Sequence, residues 1–139
     1  MVSVRKMHPN EAAEIAAVAR EAASGGPVLA RALQEHADRV RVVHMGHELL
    51  GAFVLTELEG GVEEIAGLAL RAEGLSAGAE RAVVEYVVGA ARFARKKAVE
   101  VVAQPHSAES RHLEREGFRP SGKGSQDEQR YRIEVKKSP

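Results

Sequence analysis

Apolar and polar residues alternate along residues 2–7 (VSVRKM), the period of a half-buried strand, and His8-Pro9-Asn10 ends it. Over residues 11–23 the apolar positions Ala12, Ile15, Ala19 and Ala22 recur at helical spacing, with Glu11 and Glu14 early and Arg20 late, as a helix dipole prefers. Ser24-Gly25-Gly26-Pro27 stops that helix, and Leu29, Ala30, Leu33 and Ala37 give a second one a narrow apolar stripe. Residues 39–43 and 48–57 read as two strands joined by a turn at His44-Met45-Gly46-His47. Glu59-Gly60-Gly61 then turns the chain into a third strand, Val62–Leu70. Residues 71–76 break the pattern with charge and Gly74. The longest helix starts at Ala79 and runs to about residue 97; it is apolar except for the stripe Arg81, Glu85, Arg92 and Lys96, which predicts that it is mostly buried. Ala98–Ala103 is a near-continuous apolar strand. Residues 107–116 form a charged helix with Ala108 and Leu113 among its few apolar positions, closed by Gly117-Phe118. A short strand fits near Phe118, residues 121–129 are a polar turn region, 131–135 (YRIEV) are the last strand, and 136–139 are expected to fray.

This order, β-α-α-β-β-β-α-β-α-β, predicts an α/β (α+β) fold: a mixed, mostly antiparallel central sheet with helices on both faces. The strand–helix–strand run over residues 62–103 is a βαβ unit, so its two strands should be parallel. In open α/β sheets ligands sit beyond the carboxyl ends of strands, where the chain directions diverge. The expected site is therefore the gap between Leu70 and Gln104, closed by residues 71–79. The turn into the helix at Gly78-Ala79 aims backbone N–H groups at one spot, and the helix dipole favours an anion there.

Composition narrows the choices. A chain of 139 residues is expected to form a single domain over residues 1–139. Lys plus Arg number 20 and Asp plus Glu 20, so no bulk charge favours nucleic acid or an acidic membrane. Cysteine is absent, which excludes disulfides, thiolate metal sites and a Cys nucleophile and is compatible with a cytoplasmic location. No apolar run reaches membrane-spanning length, and residues near the N-terminus lack a signal-peptide apolar region. His44 and His47 have only Glu48 near them, short of the three or four ligands a zinc site takes, so no metal is expected. The basic run Arg95-Lys96-Lys97 answers the preceding helix dipole, and no nucleic-acid partner is expected. Ser107 beside His106 lacks a nucleophile elbow, and neither a P-loop lysine nor a Rossmann glycine triplet is present.

Four segments, in order, carry a resemblance: VRKMHPNEAAEI, GHELLGAFVL, EEIAGLALRAE and HSAESRHLEREGF. Together they resemble the GCN5-related N-acetyltransferases, a family that transfers the acetyl group of acetyl-CoA to amines. The family's loop signature is Gln or Arg, two residues, Gly, one residue, then Gly or Ala; here those positions are Leu75, Gly78 and Glu80, and Gly78 alone fits. Ser76 replaces a small residue, His106 stands where the family has Asn, and Leu113 where many members have a general-acid Tyr.

The resemblance implies that backbone N–H groups of Leu75, Ser76, Ala77, Gly78, Ala79 and Glu80 grip the pyrophosphate of acetyl-CoA. It also implies that Leu68, Ala69 and Leu70 pair with the pantetheine arm as an added strand and stabilise the oxyanion, and that His106 contributes to the same cofactor site. Glu64, or water held by it, would take the amine proton; the plain alternative is that Glu63 and Glu64 are solvated strand-edge charges. Glu80 has two readings. It is a favourable first-turn carboxylate, or it is a phosphate neighbour turned to solvent or neutralised by Arg81. The expected function is N-acetyl transfer to a small-molecule or peptide amine. The alternative is a non-catalytic binding module that kept the fold and lost the cofactor. A homodimer is compatible with either.

Overall fold

The structure is a computed structural model that describes residues 1–22, 25–103, 105–123 and 128–135. The expected helix end at Ala23, the stop at Ser24, the strand end at Gln104, the centre of the polar turn region and the frayed tail lie outside the described residues. The chain forms two compact units, residues 1–56 with 66–86, and residues 57–65 with those from 87 onward.

The first unit contains β1 (Val2–Lys6), β2 (Val40–Met45), most of β3 (Glu48–Leu58) and the second half of β4 (Val62–Leu70). β1 pairs antiparallel with β2 and β2 with β3, through the two-residue turn Gly46-His47. That turn is shorter than expected because His44 and Met45 continue the ladder, pairing with Leu49 and Glu48. A register shift between Val43 and His44 lets consecutive Leu49 and Leu50 both be buried. Helices α1 (Ala12–Glu21) and α2 (Gly26–Glu35) supply Ile15, Val18, Ala19, Leu29 and Ala32, which close a core with Val40, Val42, Ala52, Val54 and Ala69. Residues 9–11 form a 3-10 turn before α1. Its Glu11 accepts from Arg5 at 2.8 and 2.9 Å and from the His8 amide at 2.7 Å. The hydrogen-bonded Arg5 guanidinium lowers the Glu11 carboxyl from 4.5 to about 2.

The second unit contains the first half of β4, then β5 (Ala98–Ala103), β6 (Arg119–Lys123) and β7 (Gln129–Glu134). β4 and β5 are parallel over Val62 to Ile65, as the βαβ reading requires, and β7 lies antiparallel between β5 and β6. β6 is longer than the short strand expected near Phe118. Ser121 and Gly122 belong to it rather than to a turn, because β7 begins at Gln129 and pairs with it.

Helix α4 (Ala79–Phe93) contributes to both units and stops four residues earlier than expected. Arg95 takes a left-handed conformation (φ 60°), and the amides of Arg95 and Lys96 donate to Arg92 and Ala91 carbonyls at 3.1 and 2.8 Å. This is the Schellman arrangement that terminates helices. The expectation of a mostly buried helix is corrected. Ala79, Val83, Val84, Val87 and Ala91 form one buried stripe, whereas Phe93 is 93% exposed. The same motif closes α5 (Ala108–Arg115): the Gly117 and Phe118 amides donate to Glu114 and Leu113. Leu113 and Phe118, the apolar pair this motif brings together, are both buried.

Candidate functional site

Gly67, within the second half of β4, takes a left-handed conformation with φ of 57°. A Cβ on Gly67 would lie 2.9 Å from the Leu29 amide nitrogen, and one on Gly25 would lie 2.6 Å from the Leu68 carbonyl oxygen. The start of α2 therefore rests directly on the β4 backbone. Beyond Leu70, Arg71 fastens the chain to β3. Its amide donates to the Leu50 carbonyl at 2.8 Å, and its guanidinium donates to the Leu49 carbonyl at 2.9 Å and meets Glu14 at 3.4 Å.

Residues 71–76 are not a plain loop: Ala72–Ser76 forms a short helix, α3, with Gly74 pressed against Leu50. Leu75, Ser76, Ala77 and Gly78 are exposed, Leu75 to 55%, while Ala79 is fully buried and Glu80 half-buried. Three amides expected to grip phosphate donate within the segment: Leu75 to Arg71, Ala77 to Glu73 and Gly78 to Leu75, at 3.1, 3.0 and 3.3 Å. The first turn of a helix has amides without carbonyl partners of its own, and in α4 that turn opens at Ala79 and Glu80. Gly78 (φ 74°) has nothing within 4 Å of a built Cβ, so its glycine is needed for the turn and not for space. Arg81 bonds Glu85 at 3.0 Å. Beside Leu70, a cleft of about 340 Å³ is lined by Val18, Glu21, Ala22, Arg71 and Glu73. The sequence pattern did not single out Glu21, at the end of α1, or Arg71, whose only signal was charge next to a strand end.

In the second unit, Glu64 lies opposite Glu100 on β5, and Glu100 opposite Arg132 on β7, so all three share one sheet face. Arg130 reaches Glu64 at 2.7 Å and Glu100 at 3.2 Å, and Arg132 reaches Glu100 at 3.3 Å. The hydrogen bond that Arg130 donates to Glu64 raises the Arg130 pKa above its ordinary value. On the other face Glu63 is buried, with Lys96 at 3.9 Å. Neither glutamate is a solvated edge charge: Glu63 is buried beside Lys96, and Glu64 is held by Arg130.

His106 is exposed in a left-handed conformation (φ 60°) and stands ahead of α5. Ser107 caps that helix, its hydroxyl accepting from the Ser110 amide at 3.0 Å. His106 lines a cleft of about 270 Å³ with Pro105, Ser110, Arg111, Glu114 and Tyr131. His44 faces the Gly46 carbonyl at 3.2 Å, and among the described residues no group of His, Asp and Glu is arranged to hold a metal ion. Nor is any described helix long and apolar enough to cross a membrane.

No protein-family model matches this chain, and no curated protein matches it in sequence. Solved structures do match. The chain has the fold of the GCN5-related N-acetyltransferases: a mixed, mostly antiparallel sheet with helices on both faces. A protein of Desulfovibrio desulfuricans assigned to that acetyltransferase family superposes with a TM-score of 0.81 at 18% identity, over 98% of this chain and 100% of that one. The ribosomal-protein-S18-alanine N-acetyltransferase of Escherichia coli gives 0.77 at 10% identity, over 100% and 97%. N-acetylglutamate synthase of Neisseria gonorrhoeae, complexed with coenzyme A and N-acetyl-glutamate, gives 0.76 at 16% identity, over 99% of this chain and 36% of that one.

Proposed function

We propose that this chain transfers the acetyl group of acetyl-CoA to the amine of a small molecule or peptide. The observation that carries the reading is the exposed segment from Leu75 to Gly78, which turns at Gly78 straight into the first turn of a long helix. Past the exposed Leu75 side chain, Ser76, Ala77 and Gly78 present backbone rather than bulky side chains, and the helix start favours an anion. Ala79 and Glu80 would hold the pyrophosphate with their amides, Ser76, Ala77 and Gly78 would shape its approach, and Leu68 to Leu70 would pair with the pantetheine arm. The Glu80 carboxylate opposes this fit.

Acetyl-CoA, when bound, supplies an acetyl thioester. The chain's own residues do the rest. Amides of Leu68 to Leu70 would steady the developing oxyanion, and Glu64 would receive the proton that the nitrogen loses. Leu113 is buried and has no proton to give, so the thiolate would leave without a side-chain acid from that position.

A second reading, a non-catalytic module, is favoured by the same Glu80, by exposed Leu75 in place of a cation and by Leu113. Thiol release from acetyl-CoA across a set of primary amines separates the two. Amine-dependent release is the expected result. Release no faster than in buffer for every amine, with the protein folded, would favour the module.

A further inference from the structure

Arg71 stands between the two halves of the segment proposed to hold acetyl-CoA, with Leu68 to Leu70 before it and residues 75–80 after it. All the groups that fix it belong to the first unit. The register shift in the β2–β3 ladder skips Leu50: His44 pairs with Leu49, and Val43 with Gly51. The Leu50 carbonyl accepts from the Arg71 amide at 2.8 Å. The adjacent carbonyl on β3, that of Leu49, accepts from the Arg71 guanidinium at 2.9 Å, and Glu14 of α1 meets the same nitrogen at 3.4 Å. Arg71 thus grips β3 by main chain and side chain at once. One hydrogen bond leaves the chain free to swing about it, whereas a second to the neighbouring carbonyl sets the angle at which α3 leaves β4. Gly74 lets α3 lie against the same residue, because a Cβ there would be 3.0 Å from the Leu50 oxygen. From Arg71 the order passes along the segment. The Arg71 carbonyl accepts from the Gly74 and Leu75 amides, and the Leu75 carbonyl from the amide of Gly78, the residue before α4.

We propose that Arg71 is a positioning residue for the pyrophosphate of CoA: its guanidinium, through the Leu49 carbonyl, fixes where residues 75–80 present their amides. This rests on the acetyl-transfer reading above. Arg71 acts through the backbone and forms no bond to the cofactor. Its main-chain bond to Leu50 survives any change of side chain, so Leu68 to Leu70 keep their place when the guanidinium is removed, and the loss falls on residues 72–78. The Glu14 carboxylate is 53% exposed and at the longer distance, so it adds little.

Arg71→Met removes the guanidinium and keeps an apolar stem, and Arg71→Lys keeps one cationic donor for the Leu49 carbonyl. Calorimetry of the full chain with CoA reads affinity without an acceptor amine. Arg71→Met should raise the Kd by about tenfold, the low end for a charge-assisted hydrogen bond because the side chain is 29% exposed, and Arg71→Lys should recover most of the loss. Glu14→Gln should change the Kd by less than about twofold. With acetyl-CoA and butylamine, KM for acetyl-CoA should rise in Arg71→Met by about the same tenfold while kcat stays within about twofold. Amide hydrogen exchange of the free Arg71→Met chain should quicken at Gly74, Leu75, Ala77 and Gly78 and not along β3. An unchanged Kd in Arg71→Met, a raised Kd with faster exchange throughout β3, or a fall in kcat at unchanged KM would overturn the positioning role, while CoA binding by the unmodified chain would leave the acetyl-transfer reading standing. No CoA binding by the unmodified chain would overturn both.

Discussion

At Glu80 two electrostatic demands compete. A carboxylate in the first turn of α4 answers the helix dipole, which stabilises the free chain. The same carboxylate at about 6 Å from a phosphate costs roughly 3 kcal/mol at an effective dielectric near 20. Glu80 is half-buried, and salt reduces that cost to about 1 kcal/mol. Glu80→Gln should therefore tighten CoA binding by about tenfold, measured by calorimetry, while slightly lowering the melting temperature. Leu75→Arg added to it should tighten binding further. Unchanged affinity would mean that phosphate does not approach Glu80.

Glu11 gives a second test at the same scale. Its folded pKa lies below the ordinary value, so its bond to Arg5 stabilises the fold above pH 4.5 and ceases to do so as pH falls towards about 2. Arg5 is 36% exposed, so the contribution is about 1 kcal/mol at neutral pH after discounting for solvent. Glu11→Gln should lose that amount at pH 7, and the two proteins should draw together in stability as pH falls from 4.5 and converge below about pH 2. Denaturant unfolding across pH reads both.

At the scale of the element, the ends of helices and strands decide what could be read. The end of α5 was legible because Gly117-Phe118 spells a Schellman motif. The end of α4 was not, because Arg95 occupies the left-handed position that glycine normally takes. Relieving that conformation with Arg95→Gly should raise stability by about 0.5–1 kcal/mol. Gly67 is the opposite case. An alanine there meets both a left-handed backbone and the Leu29 amide, so Gly67→Ala should cost about 2–3 kcal/mol in chemical unfolding. The sequence marked residues 71–76 only as a break in pattern. The helix there forms because Arg71 ties the segment to Leu49 and Leu50, a contact that local spacing does not contain.

At the scale of the molecule, the fold was legible because it follows from the order of elements and the parallel βαβ pairing, both written in hydrophobic period. Residues 68–80 of the site were legible as a strand–turn–helix passage. The environment of Glu64 was not. Its partner Arg130 is 66 residues away, and only the register of β4, β5 and β7 brings them to one face.

Thermal unfolding with saturating acetyl-CoA, and with CoA alone as control, tests the central claim most directly. Ligand at about a hundred times its Kd adds roughly 2.7 kcal/mol. For a chain of 139 residues that is a rise in Tm on the order of 5–10 °C, and this is the result expected. An unchanged Tm at millimolar acetyl-CoA would contradict the account and leave a fold that has kept its shape without its cofactor.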